Sequence, residues 1–349
     1  MNKIDCIKSF AKLGEILSYL AYEKEWPGHE LGLTELEYKE LINTITKQFQ
    51  FNPWFAKEHV LQSIKEWSNA LSEVGLNSFT IYSSFSTQPK NIAIIMAGNI
   101  PLVGFHDFLC VLLTGNNAVC KLSSDDKTLL PAISNVLCTI NPEFNDSITF
   151  PAGPLKDIDA VIATGSDNSV MYFQQYFGKY PHIFRKNRTS VAILNGDESD
   201  EELNLLGKDM FDYFGRGCRN VAHLLLPNAY DINKVIGNLT DFGSIINHHK
   251  YANNYDYNRA IYLLNKIEFL DNNFALFRQT DTLNSPLSVI HYHFYNSEEE
   301  VNLYLKNHED EIQAIIGREY IPFGQAQCPK LDDFADNINT LKFLNALNA

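Results

Sequence analysis

The chain has 349 residues, of which 45% are hydrophobic and 20% charged, a globular composition with length enough for two domains. Its formal charge of -14 repels phosphate at long range, which argues against nonspecific attraction to nucleic acid or an anionic membrane and makes any phosphate-bearing ligand depend on a local basic pocket. Apolar runs such as Leu224-Leu225-Leu226 are far too short for a membrane span, and six scattered cysteines without a CxxC pair offer neither a disulfide framework nor a zinc site.

Lys8, Lys12 and Glu15 interrupt the opening segment, so no signal-peptide core is expected, and reduced thiols suit a cytoplasmic address. Up to about residue 76 the pattern is helical: Ile7, Phe10, Leu13, Ile16 and Leu17 make one stripe, and Val60, Leu61, Ile64 and Trp67 make another. The texture changes after Gln88-Pro89-Lys90, where residues 91–97 read as a strand buried on both faces of a parallel sheet. A loop at 98–102 and a helix over 103–113 follow, then a strand at 118–122, a helix over about 127–137 and a third strand at 159–163. This alternation predicts a doubly wound α/β sheet with its ligand crevice beyond the strand carboxyl ends, where Asn99, Lys121, Gly165 and Ser166 fall. No GxGxxG is present; Gly165-Ser166 either opens a helix toward a phosphate or is an ordinary turn and N-cap.

The second half is also α/β, with strands expected at 190–194, 221–227, 260–264 and 287–294, a surface loop around Tyr251 to Asn258, and a helix opened by the N-cap Ser297. Neither His248-His249 nor the pair His291 and His293 has a third ligand at metal spacing, so no metal is expected, and His106 and His223 read as packed structural histidines. Between a predicted helix (201–214) and the strand at 221–227 lies Gly215-Arg216-Gly217-Cys218-Arg219. Flanking glycines leave that thiol approachable and Arg219 favours thiolate, so Cys218 is the candidate nucleophile; a small buried hydrophobe is the competing role.

Several of these segments together resemble the aldehyde dehydrogenase superfamily, and within it the LuxC-type acyl-CoA reductases. Residues 97–102 (AGNIPL) are similar to the superfamily's asparagine-bearing loop, 119–123 (VCKLS) to the strand whose lysine holds the cofactor ribose, and 163–166 (ATGS) to the turn that meets the pyrophosphate. Residues 214–218 (FGRGC) resemble the nucleophile segment and 321–327 (IPFGQAQ) the Pro-Phe-Gly loop. The resemblance implies an α/β fold with a helical N-terminal segment over 1–86, a Rossmann-type nicotinamide-cofactor domain over 87–187 and an α/β catalytic domain over 188–349. It implies Cys218 as nucleophile, Asn99 as oxyanion donor, and Lys121, Gly165, Ser166, Pro322 and Phe323 as cofactor contacts.

Two departures from hydrolytic aldehyde dehydrogenases matter. The stretch Phe184 to Ser190 has no carboxylate to activate water, and none falls near Thr282 to Pro286, where those enzymes use a glutamate on the nicotinamide ribose. An acyl-enzyme would then wait for hydride or CoA. The expected activity is reduction of a fatty acyl thioester, from acyl-CoA or an acyl carrier protein, to an aldehyde with NADPH or, alternatively, NADH. A cofactor-independent cysteine acyltransferase or thioesterase and a noncatalytic acyl-binding partner subunit are the alternatives, and the superfamily's habit of forming dimers or larger assemblies suggests a homo-oligomer.

Overall fold

The amino-terminal apolar stripes fold as α1 (Lys3–Ala21), α2 (Glu35–Thr46), α3 (Gln48–Phe51), α4 (Lys57–Ala70) and α5 (Glu73–Phe79) in the computed structural model, which describes residues 1–348. Ile7, Phe10, Leu13, Ile16 and Leu17 bury one face of α1 against α4, whose buried residues include Val60 and Ile64. Three of these helices, α1, α2 and α5, start where a side chain accepts a free N–H of the first turn: Asn2 from Asp5, Thr34 from Glu37 in a capping box, and Ser72 from Gly75.

The same unit contains β1 (Asn91–Ile95), α6 (Phe105–Leu113), β2 (Asn117–Lys121), α7 (Leu129–Ile140), β3 (Ile148–Thr149), β4 (Ala160–Thr164), α8 (Asp167–Phe177) and β5 (His182–Arg185). The strands form one parallel sheet in the order β3-β2-β1-β4-β5, with Ile92 opposite both Ala118 and Ala160. β1 and β4 carry their apolar side chains into cores on both faces, which is why they read as continuous runs, while β2 adds Ala118 and Cys120 to one of those cores. The strand order reverses between β1 and β4, so the switch-point crevice opens at their carboxyl ends. The first helix of this sheet begins at Phe105, after a turn in which Leu102 takes φ +58°.

The second unit spans Asn187–Pro329. It comprises β6 (Thr189–Ile193), α9 (Asp200–Phe211), β7 (Val221–Pro227), α10 (Ile232–Gly237), α11 (His249–Leu264), β8 (Leu270–Asp271), β9 (Leu276–Gln279), β10 (Val289–Tyr295), α12 (Glu298–Asn307) and β11 (Ile312–Ile316). Its sheet runs β11-β6-β7-β10-β9-β8 and is parallel except for β8. Ser297 caps α12 by accepting the Glu300 N–H.

Two expectations are corrected. Residues 251–264 are neither a surface loop nor a strand: they form most of α11, with Tyr251, Tyr255, Asn258 and Tyr262 buried along one face at i, i+4, i+7 and i+11. Asn and Tyr are weak helix formers, and a five-residue apolar run such as 260–264 does not distinguish strand from helix. Residues from Lys330 onward do not extend the second unit: α13 (Thr340–Asn348) rejoins the first, where Leu341 and Leu344 enter the core shared with α1 and α6.

Candidate active site

Cys218 is half-buried in the turn between α9 and β7, and the chain approaches it through an uncommon conformation. Tyr213, Phe214 and Gly215 are consecutive left-handed residues at φ +54°, +59° and +72°. For the two aromatic residues this costs on the order of 1–2 kcal/mol each, held by surrounding packing. The Phe214 ring lies 4.2 Å from His248 and 6.4 Å from Tyr251 between ring centroids, so the N-terminus of α11 braces the turn.

Beyond the kink one buried carboxamide fastens the loop. Asn220 Oδ1 accepts the Gly217 N–H at 2.7 Å, and its Nδ2 donates to the carbonyls of Asp209 (3.0 Å), Met210 (3.4 Å) and Asp212 (2.9 Å). Ser190 Oγ, fully buried on β6, donates to the Cys218 carbonyl at 3.0 Å. No disulfide joins any of the six cysteines. The thiols of Cys6, Cys110 and Cys120 are pushed up by burial, and that of Cys138 rises for the same reason.

The loop at 321–327 lies against this turn. Asp209, buried near the end of α9, accepts the Gly324 N–H at 2.6 Å and the Ala326 N–H at 2.9 Å. Burial raises its carboxyl to about 6, with the two N–H groups opposing the rise. Gly324 takes φ +78°, and Arg219 Nε donates to the Ala326 carbonyl at 2.5 Å. Pro322 is exposed, whereas Phe323 is buried in the core of the second unit. Asn220, Asp209 and Ser190 escaped the sequence reading because their partners lie up to 117 residues away and no motif marks them.

In the first unit the other candidates gather at the carboxyl ends of the parallel strands. Asn99 is half-buried in the turn after β1. A Cβ on its neighbour Gly98 would fall 2.6 Å from Ser123 Oγ, so this turn packs tightly on the one after β2. Asp126 Oδ2 accepts the Leu102 N–H at 3.2 Å, and burial raises that carboxyl to about 6. Lys121 ends β2 with its ammonium on the carbonyls of Ala152 (3.2 Å) and Gly153 (3.0 Å). Gly165 follows β4 and has no room for a Cβ, which would sit 2.7 Å from Ser169 Cβ; Ser166 caps α8 by accepting the Ser169 N–H at 3.3 Å. A glycine turn and a helix N-terminus beside a switch point, with a lysine one strand away, suit a dinucleotide's pyrophosphate and ribose.

Other polar groups are structural. Arg185, part of a basic stretch with Lys186 and Arg188, is buried in an ion pair with Asp107 and donates to Thr340 Oγ1 at 2.9 Å. Arg188 donates to the carbonyls of Glu309 and Ile312. His106 Nε2 lies 2.8 Å from the Leu331 carbonyl. His223 Nδ1 lies 3.1 Å from the Thr282 carbonyl and its Nε2 2.7 Å from His293 Nδ1, while His291 Nδ1 is 2.8 Å from the same carbonyl. Burial, then the charges of His293 and His291, lowers His223 to about 3, and burial lowers His291 and His293. Among the described residues no three His, Cys, Asp or Glu side chains assemble a metal site, and no helix is long and apolar enough to cross a membrane.

Residues 4–235 match the family described as acyl-CoA reductase (LuxC). The long-chain acyl-protein thioester reductase of Aliivibrio fischeri is 23% identical over 147 residues, covering 38% of this chain and 31% of that protein. The match thus spans about a third of the curated relative. Among solved structures, aldehyde dehydrogenase 21 from Physcomitrella patens, in complex with the reaction product succinate, aligns with a TM-score of 0.69 at 12% identity over 99% of this chain and 84% of that one. The aldehyde dehydrogenase of Bacillus cereus, as its NAD+ complex, aligns with a TM-score of 0.60 at 12% identity over 90% and 72%. The fold is that of the aldehyde dehydrogenases.

Proposed function

Because this chain belongs to the acyl-CoA reductase (LuxC) family, we propose that it reduces a fatty acyl thioester to an aldehyde through a covalent acyl group on Cys218. The observation that carries this is the Cys218 turn: a half-buried thiol in a left-handed approach, locked by Asn220, while Cys6, Cys110 and Cys120 are buried in cores. The Cys218 sulfur attacks the thioester carbonyl and forms the new S–C bond. The carbonyl electron pair returns to expel the donor thiolate, which takes a proton from water. Asn99 is the proposed oxyanion donor together with the Cys218 N–H, each worth on the order of a hundredfold in rate.

Phe184 to Ser190 contains no carboxylate, so that stretch offers no base to activate water against the acyl-enzyme. A reduced nicotinamide, when bound, supplies the hydride; the oxygen electron pair then reforms the carbonyl, the S–C bond breaks with its pair returning to the Cys218 sulfur, and the aldehyde leaves. Lys121, Gly165 and Ser166 are the residues proposed to hold it, with NADPH as the preferred form, NADH as the alternative, and Pro322 and Phe323 as further contacts. The acyl donor is acyl-CoA or an acyl carrier protein. A cytoplasmic homo-oligomer is part of the proposal, and sedimentation of the purified chain reads its assembly.

A single-turnover experiment tests the proposal: the protein is mixed with radiolabelled long-chain acyl-CoA, quenched, and mapped for label, with NADPH or NADH added to parallel samples. Label on Cys218 that leaves as aldehyde only with reduced cofactor is expected. Label leaving as free acid without cofactor points to a thioesterase, and absence of label points to a binding role.

A further inference from the structure

Gln327 is 8% exposed, and its Nε2 is buried with no hydrogen-bond partner. A buried donor left unpaired costs on the order of 1–3 kcal/mol, and a native protein that keeps one invites a functional explanation. Its location suggests which. On one side of Cys218, a Cβ built on Gly217 would lie 3.6 Å from both Gln327 Nε2 and Oε1. On the other side, Arg219 Nε holds the carbonyl of Ala326, the residue before Gln327. The two sequence neighbours of Cys218 therefore both lie beside 326–327, which seats the Gln327 carboxamide next to the nucleophile turn. Asp209 fixes the loop from beneath through Gly324 and Ala326, so little reorganisation is needed to present the amide.

We propose that the side-chain amide of Gln327 donates a hydrogen bond to the acyl oxygen as the Cys218 sulfur attacks, a role that rests on the thioester chemistry proposed above. The oxygen gains a full negative charge when the S–C bond forms and has lone pairs for more than one donor. A hydrogen bond from this unpaired N–H to that oxygen would bind the tetrahedral state more strongly than the ground state, which is the differential that accelerates the step. No proton is transferred; the donor thiolate leaves with its electron pair as before.

The test uses the whole chain without cofactor. Gln327→Met keeps the side chain's length and removes the donor; Gln327→Ala removes both. Acylation of Cys218 by acyl-CoA is followed by intact mass, alkylation of Cys218 by iodoacetamide, which develops no oxyanion, is followed by peptide mapping, and the thermal midpoint is recorded. Acylation about 100-fold slower in both variants is expected, with alkylation at the wild-type rate and a midpoint for Gln327→Met no lower than wild type. Unchanged acylation, or a parallel loss of acylation and alkylation, overturns the role of Gln327 alone. A wild-type chain that takes no acyl group overturns the thioester reading and this role with it.

Discussion

Asn220 Oδ1 accepts the Gly217 N–H at 2.7 Å while the other end of the same carboxamide holds three carbonyls at the end of α9. Every polar atom of this side chain is thus used to fix the turn that carries Cys218. Asn220→Ala is expected to lower stability by about 2 kcal/mol, the cost of leaving buried groups unpaired. Asn220→Asp places an anion against the three carbonyls and is expected to cost about 3–5 kcal/mol. Urea denaturation measures both, and equal midpoints for the two variants would contradict the assignment.

In the proposed mechanism Cys218 and Lys121 serve different steps. Cys218→Ala should abolish covalent acylation and retain binding of reduced nicotinamide nucleotide. Lys121→Ala should still acylate while its nucleotide dissociation constant rises by about tenfold, the equivalent of one charged hydrogen bond. Intact-mass analysis and nucleotide fluorescence titration read the two effects separately, and loss of both in either variant would contradict the division.

The buried ion pair of Arg185 with Asp107 joins β5, α6 and, through Thr340, α13. Asp107→Ala leaves a guanidinium buried without its counter-charge and is expected to lose about 3–5 kcal/mol. Replacing both partners, Asp107→Leu with Arg185→Met, should lose less than the single change. Calorimetry on the three proteins decides it; a double variant less stable than the single would show that the stranded guanidinium is not what destabilises Asp107→Ala.

His223 is held neutral, lowered to about 3 from an unfolded value near 6.5. Between those values the unfolded chain binds the proton and the folded one does not, so stability falls as pH drops below about 6.5. At pH 5 the His223 contribution amounts to about 2 kcal/mol. His223→Gln should therefore lose less stability than wild type between pH 7 and pH 5 in matched denaturation curves. Parallel curves would show that another group governs acid sensitivity. Asp209, raised to about 6, acts with the opposite sign, since its protonated form is the one the fold favours.

The strands were legible because a parallel sheet buries both faces, so Ile92 to Ile95 and Val161 to Ala163 appear as unbroken apolar runs. The Cys218 turn was legible from its glycines and from the change of period around it. α11 was not: its buried stripe consists of tyrosines and an asparagine, whose composition suggests a loop while their spacing is helical. Nothing around Arg185 in the sequence marks its burial, because the carboxylate it pairs with, Asp107, lies 78 residues away. Asp209 and Asn220 read as ordinary polar residues because they work through backbone groups, which leave no trace in side-chain pattern.

The return of the chain to the first unit after Lys330 makes the second unit an insertion within it, and this sets an order of events during synthesis. Thr340 follows Arg185 by 155 residues. At ribosomal rates of roughly 5–20 residues per second, the site that receives Thr340 stands open for roughly 8 to 30 seconds, ample time for the inserted unit to fold first. A nascent chain arrested inside that interval lacks Leu341 and Leu344 and exposes the apolar bed they fill. Until α13 docks, the core of the first unit has an uncovered apolar side open to chaperones.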